Sequence, residues 1–259
     1  MALFEEVFNK ASIYDMLFFN VKAVLQHPTL KDLEANNKLM FERWEYLSKT
    51  KYGFNDISEG ALNKYLLHAP YYPEFCKIIA ISFASVYTEN NQLKRDIKKF
   101  AGEDEAVLIE TLMSEFTLLS NATNKLNPPF FPPLCGHNVI SYDIPLLIKR
   151  FLLYGENFKS NKQLPLILKR TLDSKPWESN IVDTVNVWKF NGNDYMTLML
   201  IADYLGLKKT IDLLPHNELS EYYWEHIDEK PKETLDFIAL QSATETNLVI
   251  QLMNKLRQF

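Results

Sequence analysis

The stretch Gly136-His137-Asn138-Val139-Ile140-Ser141-Tyr142-Asp143-Ile144-Pro145-Leu146-Leu147 reads as the end of a strand, a polar turn and the start of a helix. Residues 134–136 supply the short strand, and His137-Asn138 the turn. A helix is predicted over 145–153, with Pro145 in its first turn, where a missing N–H costs nothing. Taken alone, the pattern makes Asp143 an N-cap that satisfies orphan amides, and Asn138 a turn residue.

Working outward, residues 17–21 (Leu17-Phe18-Phe19-Asn20-Val21) predict a first strand. Residues 77–87 are β-branched and almost continuously apolar, as a buried central strand should be. Asn90-Asn91 predicts a turn into a third strand near 93–100. Residues 29–67 have an irregular helical pattern, with Phe41, Trp44 and Leu47 at three-residue spacing. Residues 103–124 predict an amphipathic helix whose first turn is crowded with acids, where the helix dipole favours them. Asn127-Pro128-Pro129 breaks the chain, and Phe130 to Pro133 prolongs the break. Further on, Lys175-Pro176-Trp177 precedes an apolar stretch over 181–190. Helices are predicted at 197–205 and 217–226, and a long one over 231–256 with Leu235, Ile238, Leu240, Leu248, Leu252 and Leu256 as apolar positions. Strands come early and helices sandwich them, which predicts an α/β chain with a mixed central sheet flanked by helices. No composition shift marks a boundary, so one domain is expected over 1–259, with a helical insertion near 30–67.

Composition removes several classes. Of 259 residues, 47% are apolar and 24% charged, which suits a sizeable core and not a disordered chain. Lys plus Arg is 28 against 33 Asp plus Glu, a net charge of -5, so any grip on phosphate backbones must come from a local patch. The 7 glycines form no G-x-G and no P-loop, and G-x-S-x-G and H-E-x-x-H are absent. Cys76 and Cys135 make no disulfide framework and no zinc quartet, and free cysteines next to strands are usually small buried hydrophobes. No apolar run approaches the ~20 residues of a membrane span. The first residues carry acids where a signal peptide would be basic. A cytoplasmic protein with no membrane contact is the expectation.

Other candidates are weaker. His137 is either a general base or a structural turn residue. His216 and His226 lack a zinc pattern. Trp44, Trp177, Trp188 and Trp224 read as packing residues. Lys94-Arg95 with Lys98-Lys99 is the densest basic cluster, either a solvated face or a phosphate-contact patch.

The 136–147 stretch resembles the second motif of DEDD-type (DnaQ-like) 3'-5' exonucleases, in particular the bacterial family related to the exonuclease domain of family-B DNA polymerases. Residues 17–29 resemble that family's first motif strand, and Tyr72-Pro73-Glu74-Phe75-Cys76-Lys77 with the strand after it resembles the second strand. Lys175-Pro176-Trp177, Asp183-Thr184, Trp188-Lys189-Phe190 and Tyr195 resemble the later core, and 237–252 stands where the third motif should be. The resemblance covers most of 15–256 and implies a ribonuclease H-like fold.

It also implies a site in which four carboxylates hold two divalent cations. The first motif's Asp-x-Glu falls on Asn20 and Lys22, two residues apart and so on one strand face. The second motif's acid is retained as Asp143. The third motif's Tyr-x-x-x-Asp falls on Phe237 and Gln241. One carboxylate and one ammonium net to zero where four carboxylates are needed, and the tyrosine that orients the water is missing. Glu245, one helical turn beyond Gln241, is the one migrated acid that would join Asp143 as a metal ligand. Lys22 is expected to pair with Asp143, and Asp183 to be structural. The implied function is a pseudo-exonuclease with no cofactor, acting as a nucleic-acid-binding or protein-interaction module. The alternative is a magnesium- or manganese-dependent 3'-5' exonuclease with a divergent site. A nucleic-acid 3' end or a protein is the implied partner, with His137, Asn138, Lys94, Arg95, Lys98 and Lys99 as nucleic-acid candidates.

Overall fold

The computed structural model describes residues 12–52, 59–125, 132–159, 162–173, 180–190, 192 and 195–258. Residues 127–131 of the proline-rich break, the Lys175-Pro176-Trp177 motif and the acidic start of the chain lie outside the described residues.

Among the described residues five strands form one mixed sheet: β1 (Leu17–Leu25), β2 (Cys76–Glu89), β3 (Gln92–Ala101), β4 (Leu134–Gly136) and β5 (Ile181–Asp183). Their order across the sheet is β3-β2-β1-β4-β5. β2 runs antiparallel to β1 and β3, while β4 is parallel to β1 and β5 to β4. Of the two long inner strands, β1 is covered along its whole length, and β2, whose apolar run predicts a buried central strand, is not. The reason is length. Pairing with β1 ends at Ala84, so the last residues of β2 outrun the sheet centre and have only β3 beside them. Ser85, Tyr87, Thr88 and Glu89 are exposed there. The β2–β3 turn is made by Asn90 and Asn91, both left-handed (φ 51° and 58°), the two-residue turn whose twist suits a hairpin.

Helices cover both faces. Even-numbered β1 side chains face one layer and odd-numbered ones the other, as strand alternation requires. Leu17, Phe19, Val21, Ala23 and Leu25 share a core with α1 (Leu30–Asn36), α2 (Lys38–Tyr52), α3 (Glu59–His68), α4 (Glu105–Asn124), α5 (Ile144–Tyr154) and α6 (Leu166–Asp173). The predicted helical segment near 30–67 is thus α1 to α3, seated by the buried Trp44, whose ring meets Tyr65 at 5.4 Å and Phe75 at 5.3 Å. Glu105 anchors α4: it accepts from the Ile78 amide (2.6 Å) and from Arg150 Nε (2.8 Å) on α5. On the opposite face, Phe18 and Val24 pack against α7 (Thr184–Trp188), α8 (Leu198–Leu205), α9 (His216–His226) and the long α10 (Pro231–Leu256). Among the described residues no helix is long and apolar enough to cross a membrane.

Candidate functional site

The even face of β1 meets α10 across the sheet. Glu245 and Thr246 stand three and four residues after Ser242, so one stripe of the helix presents all three. Asn20 Oδ1 accepts from Ser242 Oγ (2.9 Å). Ser82 Oγ, the lone polar group in the buried part of β2's inner face, lies 2.8 Å from Ser242 Oγ and 2.7 Å from Thr246 Oγ1. One step along β1, the Lys22 ammonium donates to Glu245 Oε2. The β1–β2 register shifts between Lys22 and Ala23, an irregularity of the kind that re-aims a side chain.

Asp143 approaches from the other side. A π-helical turn (Val139–Asp143) leads into α5, and Asn138 starts it in the left-handed region (φ 63°). Gly136 makes that turn possible: a Cβ there would stand 2.2 Å from Val139 Cγ1 and 2.7 Å from the Phe19 carbonyl oxygen. Asp143 occupies the N-cap position of α5 but makes no capping bond. Its Oδ2 accepts instead from the Val21 amide of β1 (3.2 Å), which corrects the capping role read from the sequence. The Lys22–Asp143 pair is corrected too, since the ammonium goes to Glu245.

Charge distribution follows from burial. Desolvation pushes the Asp143 carboxyl well above its ordinary range, and the neighbouring Glu245 carboxylate adds to the push. The Val21 amide and Lys22 pull the other way without reversing it. Burial also opposes ionisation of Glu245, but the Lys22 ammonium, followed by His216 and His137, holds its carboxyl below the usual value. One ammonium therefore faces one carboxylate, with a second carboxyl biased toward its neutral form.

Asp183 and His137 are committed to the scaffold. Asp183 accepts from Val185 N (3.0 Å), Asn138 N (2.9 Å) and Ile140 N (3.0 Å), tying the end of β5 to the turn after β4. His137 Nε2 lies 3.0 Å from the Met196 carbonyl oxygen, which can only accept, and Nδ1 lies 2.9 Å from Thr184 Oγ1. Burial lowers the His137 pKa, in keeping with the neutral ring that donates through Nε2. Both nitrogens are occupied, so His137 is a turn residue and not a free base.

The two third-motif positions turn elsewhere. Gln241 is fully buried, donates through Nε2 to the Asp212 carbonyl (2.8 Å) and accepts from the Leu214 amide (3.0 Å). Phe237 packs on Tyr222 of α9, with ring centroids 4.5 Å apart. α10 sends Glu245, not Gln241, toward β1.

Sequence reasoning named His216 and Tyr195 but did not place them at the rim of this site. His216 packs 5.0 Å from the Tyr142 ring and 6.1 Å from Tyr71, and burial pulls its pKa down to about 4. Tyr195 lies 6.2 Å from His137, and its hydroxyl is pushed up to about 12, first by burial and then by Glu245. The detectable signal was Ser82, a polar residue inside an apolar strand, together with the Ser242/Thr246 spacing. The remaining members come from separate segments with no shared pattern.

The basic cluster lies on β3, at the sheet edge, away from this site. Strand alternation divides it. Lys94 and Lys98 face α4, where Lys98 pairs with Glu115 (3.0 Å), and Arg95 and Lys99 face α10. The four therefore do not form one face.

The donor set does not suit the two divalent cations implied by the resemblance. Glu245 is bonded to an ammonium, Asp143 is biased toward its neutral form, and Asn20 and Gln241 have their carbonyl oxygens engaged. Among the described residues no group of three or more His, Cys, Asp or Glu side chains is placed to hold a metal ion. No family model, curated protein or solved structure matches this chain.

Proposed function

We propose that this chain is a ribonuclease H-like, exonuclease-type domain that works without metal catalysis, as a protein-interaction module of the cytoplasm. The strand order β3-β2-β1-β4-β5, with β2 the antiparallel member beside β1, supports the fold assignment. So does the meeting of β1, the turn after β4 and the last helix at a single site.

The observation that carries the reading is the buried Lys22–Glu245 pair. Two-metal phosphoryl transfer needs carboxylates free to offset two dications. Here the protein's own ammonium takes up the charge of Glu245, and Asp143 is held by a backbone amide. Between a nucleic-acid and a protein partner, the net charge of -5 and the division of the basic cluster over two faces favour a protein.

The test is a nuclease assay with end-labelled single- and double-stranded DNA in magnesium or manganese. No release of mononucleotides is expected. Steady release from the 3' end, abolished by Asp143→Ala, would overturn the reading.

A further inference from the structure

We propose that the outer edge of β3 is a docking site for an extended acidic segment of a partner protein, which adds to the sheet as a sixth strand. The proposal rests on the interaction reading above and gives it a place and a chemistry.

β3 is an edge strand of ten residues that pairs with β2 from Glu89↔Gln92 to Ala80↔Ala101 without a break in register. The two-residue Asn90-Asn91 turn makes Glu89 and Gln92 a hydrogen-bonded pair. Bonded pairs then alternate, and the Gly102 N–H to Ile79 carbonyl bond (3.0 Å) continues the same phase. Leu93, Arg95, Ile97, Lys99 and Ala101 therefore turn their N–H and C=O groups outward. Among the described residues no backbone bond is made to that edge. An open edge of this length is a template for strand addition.

The side chains select the occupant. The outward-bonding residues all face α10, and they read apolar, basic, apolar, basic, apolar: Leu93, Arg95, Ile97, Lys99, Ala101. Among the described residues Arg95 and Lys99 have no ion-pair partner. A second copy paired antiparallel about Ile97 would set Arg95 against Lys99, and like charges directly opposite are unfavourable. A strand with acids opposite Arg95 and Lys99 and an apolar residue opposite Ile97 complements both charge and shape. Because alternation sends Lys94 and Lys98 to the other face, a nucleic-acid backbone lying on one face would meet only half of the cluster. An added strand has side chains on both faces and meets all of it.

The experiment uses the full chain and a synthetic extended peptide of alternating Val and Thr, with glutamates at the two positions that oppose Arg95 and Lys99. Backbone amide exchange is followed by NMR with and without saturating peptide. Slowed exchange is expected at Arg95, Ile97 and Lys99, while Lys94, Asp96 and Lys98, already bonded to β2, stay as they were and report that the fold is intact. Arg95→Glu with Lys99→Glu should weaken binding about tenfold, since two attractive cross-strand charge pairs become repulsive ones. A peptide with lysines at the same positions should bind the wild type less tightly and the charge-reversed variant more tightly. No slowing at the three outward amides would overturn the proposal. So would tighter binding of a single-stranded oligonucleotide than of the peptide at the same basic residues. The nuclease assay is independent: DNA degradation with normal peptide docking sinks the non-catalytic reading alone, and silence in both sinks only the docking site.

Discussion

Lys22 on the central strand and Glu245 on the last helix form an ion pair across the sheet–helix interface, with side chains 6% and 15% exposed. Removing one partner leaves an uncompensated charge in a poorly solvated site. Lys22→Met should therefore lower stability by about 3–5 kcal/mol. Lys22→Met combined with Glu245→Gln should recover most of that loss, because no charge is left stranded. Urea unfolding of the two single variants and the double variant measures the coupling. Strictly additive losses would mean that the two residues act independently.

The neighbouring Asp143 gives a pH signature of opposite sign to that of Glu245. Its folded pKa is raised above the ordinary 3.8, first by burial. Such a group adds stability that is complete below 3.8 and is lost as pH rises through the raised folded value. Glu245, whose folded pKa is lowered from 4.5, adds stability that is present above 4.5 and lost as pH falls through its folded value. Asp143→Asn keeps an acceptor for the Val21 amide and removes the first effect. Relative to the wild type, that variant should gain stability as pH rises from the acid range to neutrality. A constant offset between the two unfolding curves at every pH would show that Asp143 does not titrate as a buried acid.

Gln241 serves the loop before α9, not the Lys22 site. Gln241→Ala would leave the Asp212 carbonyl and the Leu214 amide without their partner. The expected cost is about 1–3 kcal/mol. Amide exchange at Leu214 should speed up, while the coupling between Lys22 and Glu245 stays as in the wild type. Unchanged exchange at Leu214 would count against this anchoring role.

The elements were legible in the sequence because their signals are local. The apolar run of β2, the Asn90-Asn91 turn and the spaced leucines of α10 are each contained in one segment. The relative depth of β1 and β2 was not, since it depends on where pairing with the shorter strand stops. Asn20 and Lys22 lie on a strand and Phe237 and Gln241 on a helix, but spacing alone does not say which helical residue faces the strand. Gln241 and Glu245 are one turn apart, and only the packing of α10 over β1 and the 212–214 segment decides that Glu245 meets Lys22. Asp143 shows the same limit. Its sequence context fits a cap, and its bond to Val21 requires knowing that β1 runs alongside.

That geometry revises how a metal site would be rebuilt. Wild-type melting should be unaffected by a chelator, because the Lys22 ammonium already supplies the cation that holds Glu245. Replacing Gln241 with an acid would damage the 212–214 anchor, so the new carboxylates belong on β1. Asn20→Asp with Lys22→Glu removes the ammonium and adds two acids on the strand face that already meets Glu245. Four carboxylates, counting Asp143, would then converge without a countercharge, and the metal-free variant should be less stable than the wild type. Manganese should reverse this. At a concentration ~100 times the dissociation constant, binding to the folded state alone contributes about 2.7 kcal/mol, or roughly 5–10 °C in melting temperature for a chain of this size. Excess chelator should return the variant to its metal-free value. Lys22→Met, which leaves only Asp143 and Glu245, should show no such rise. A double acid variant with native circular dichroism and a melting temperature indifferent to manganese would mean that β1, α5 and α10 do not bring these four positions to one point.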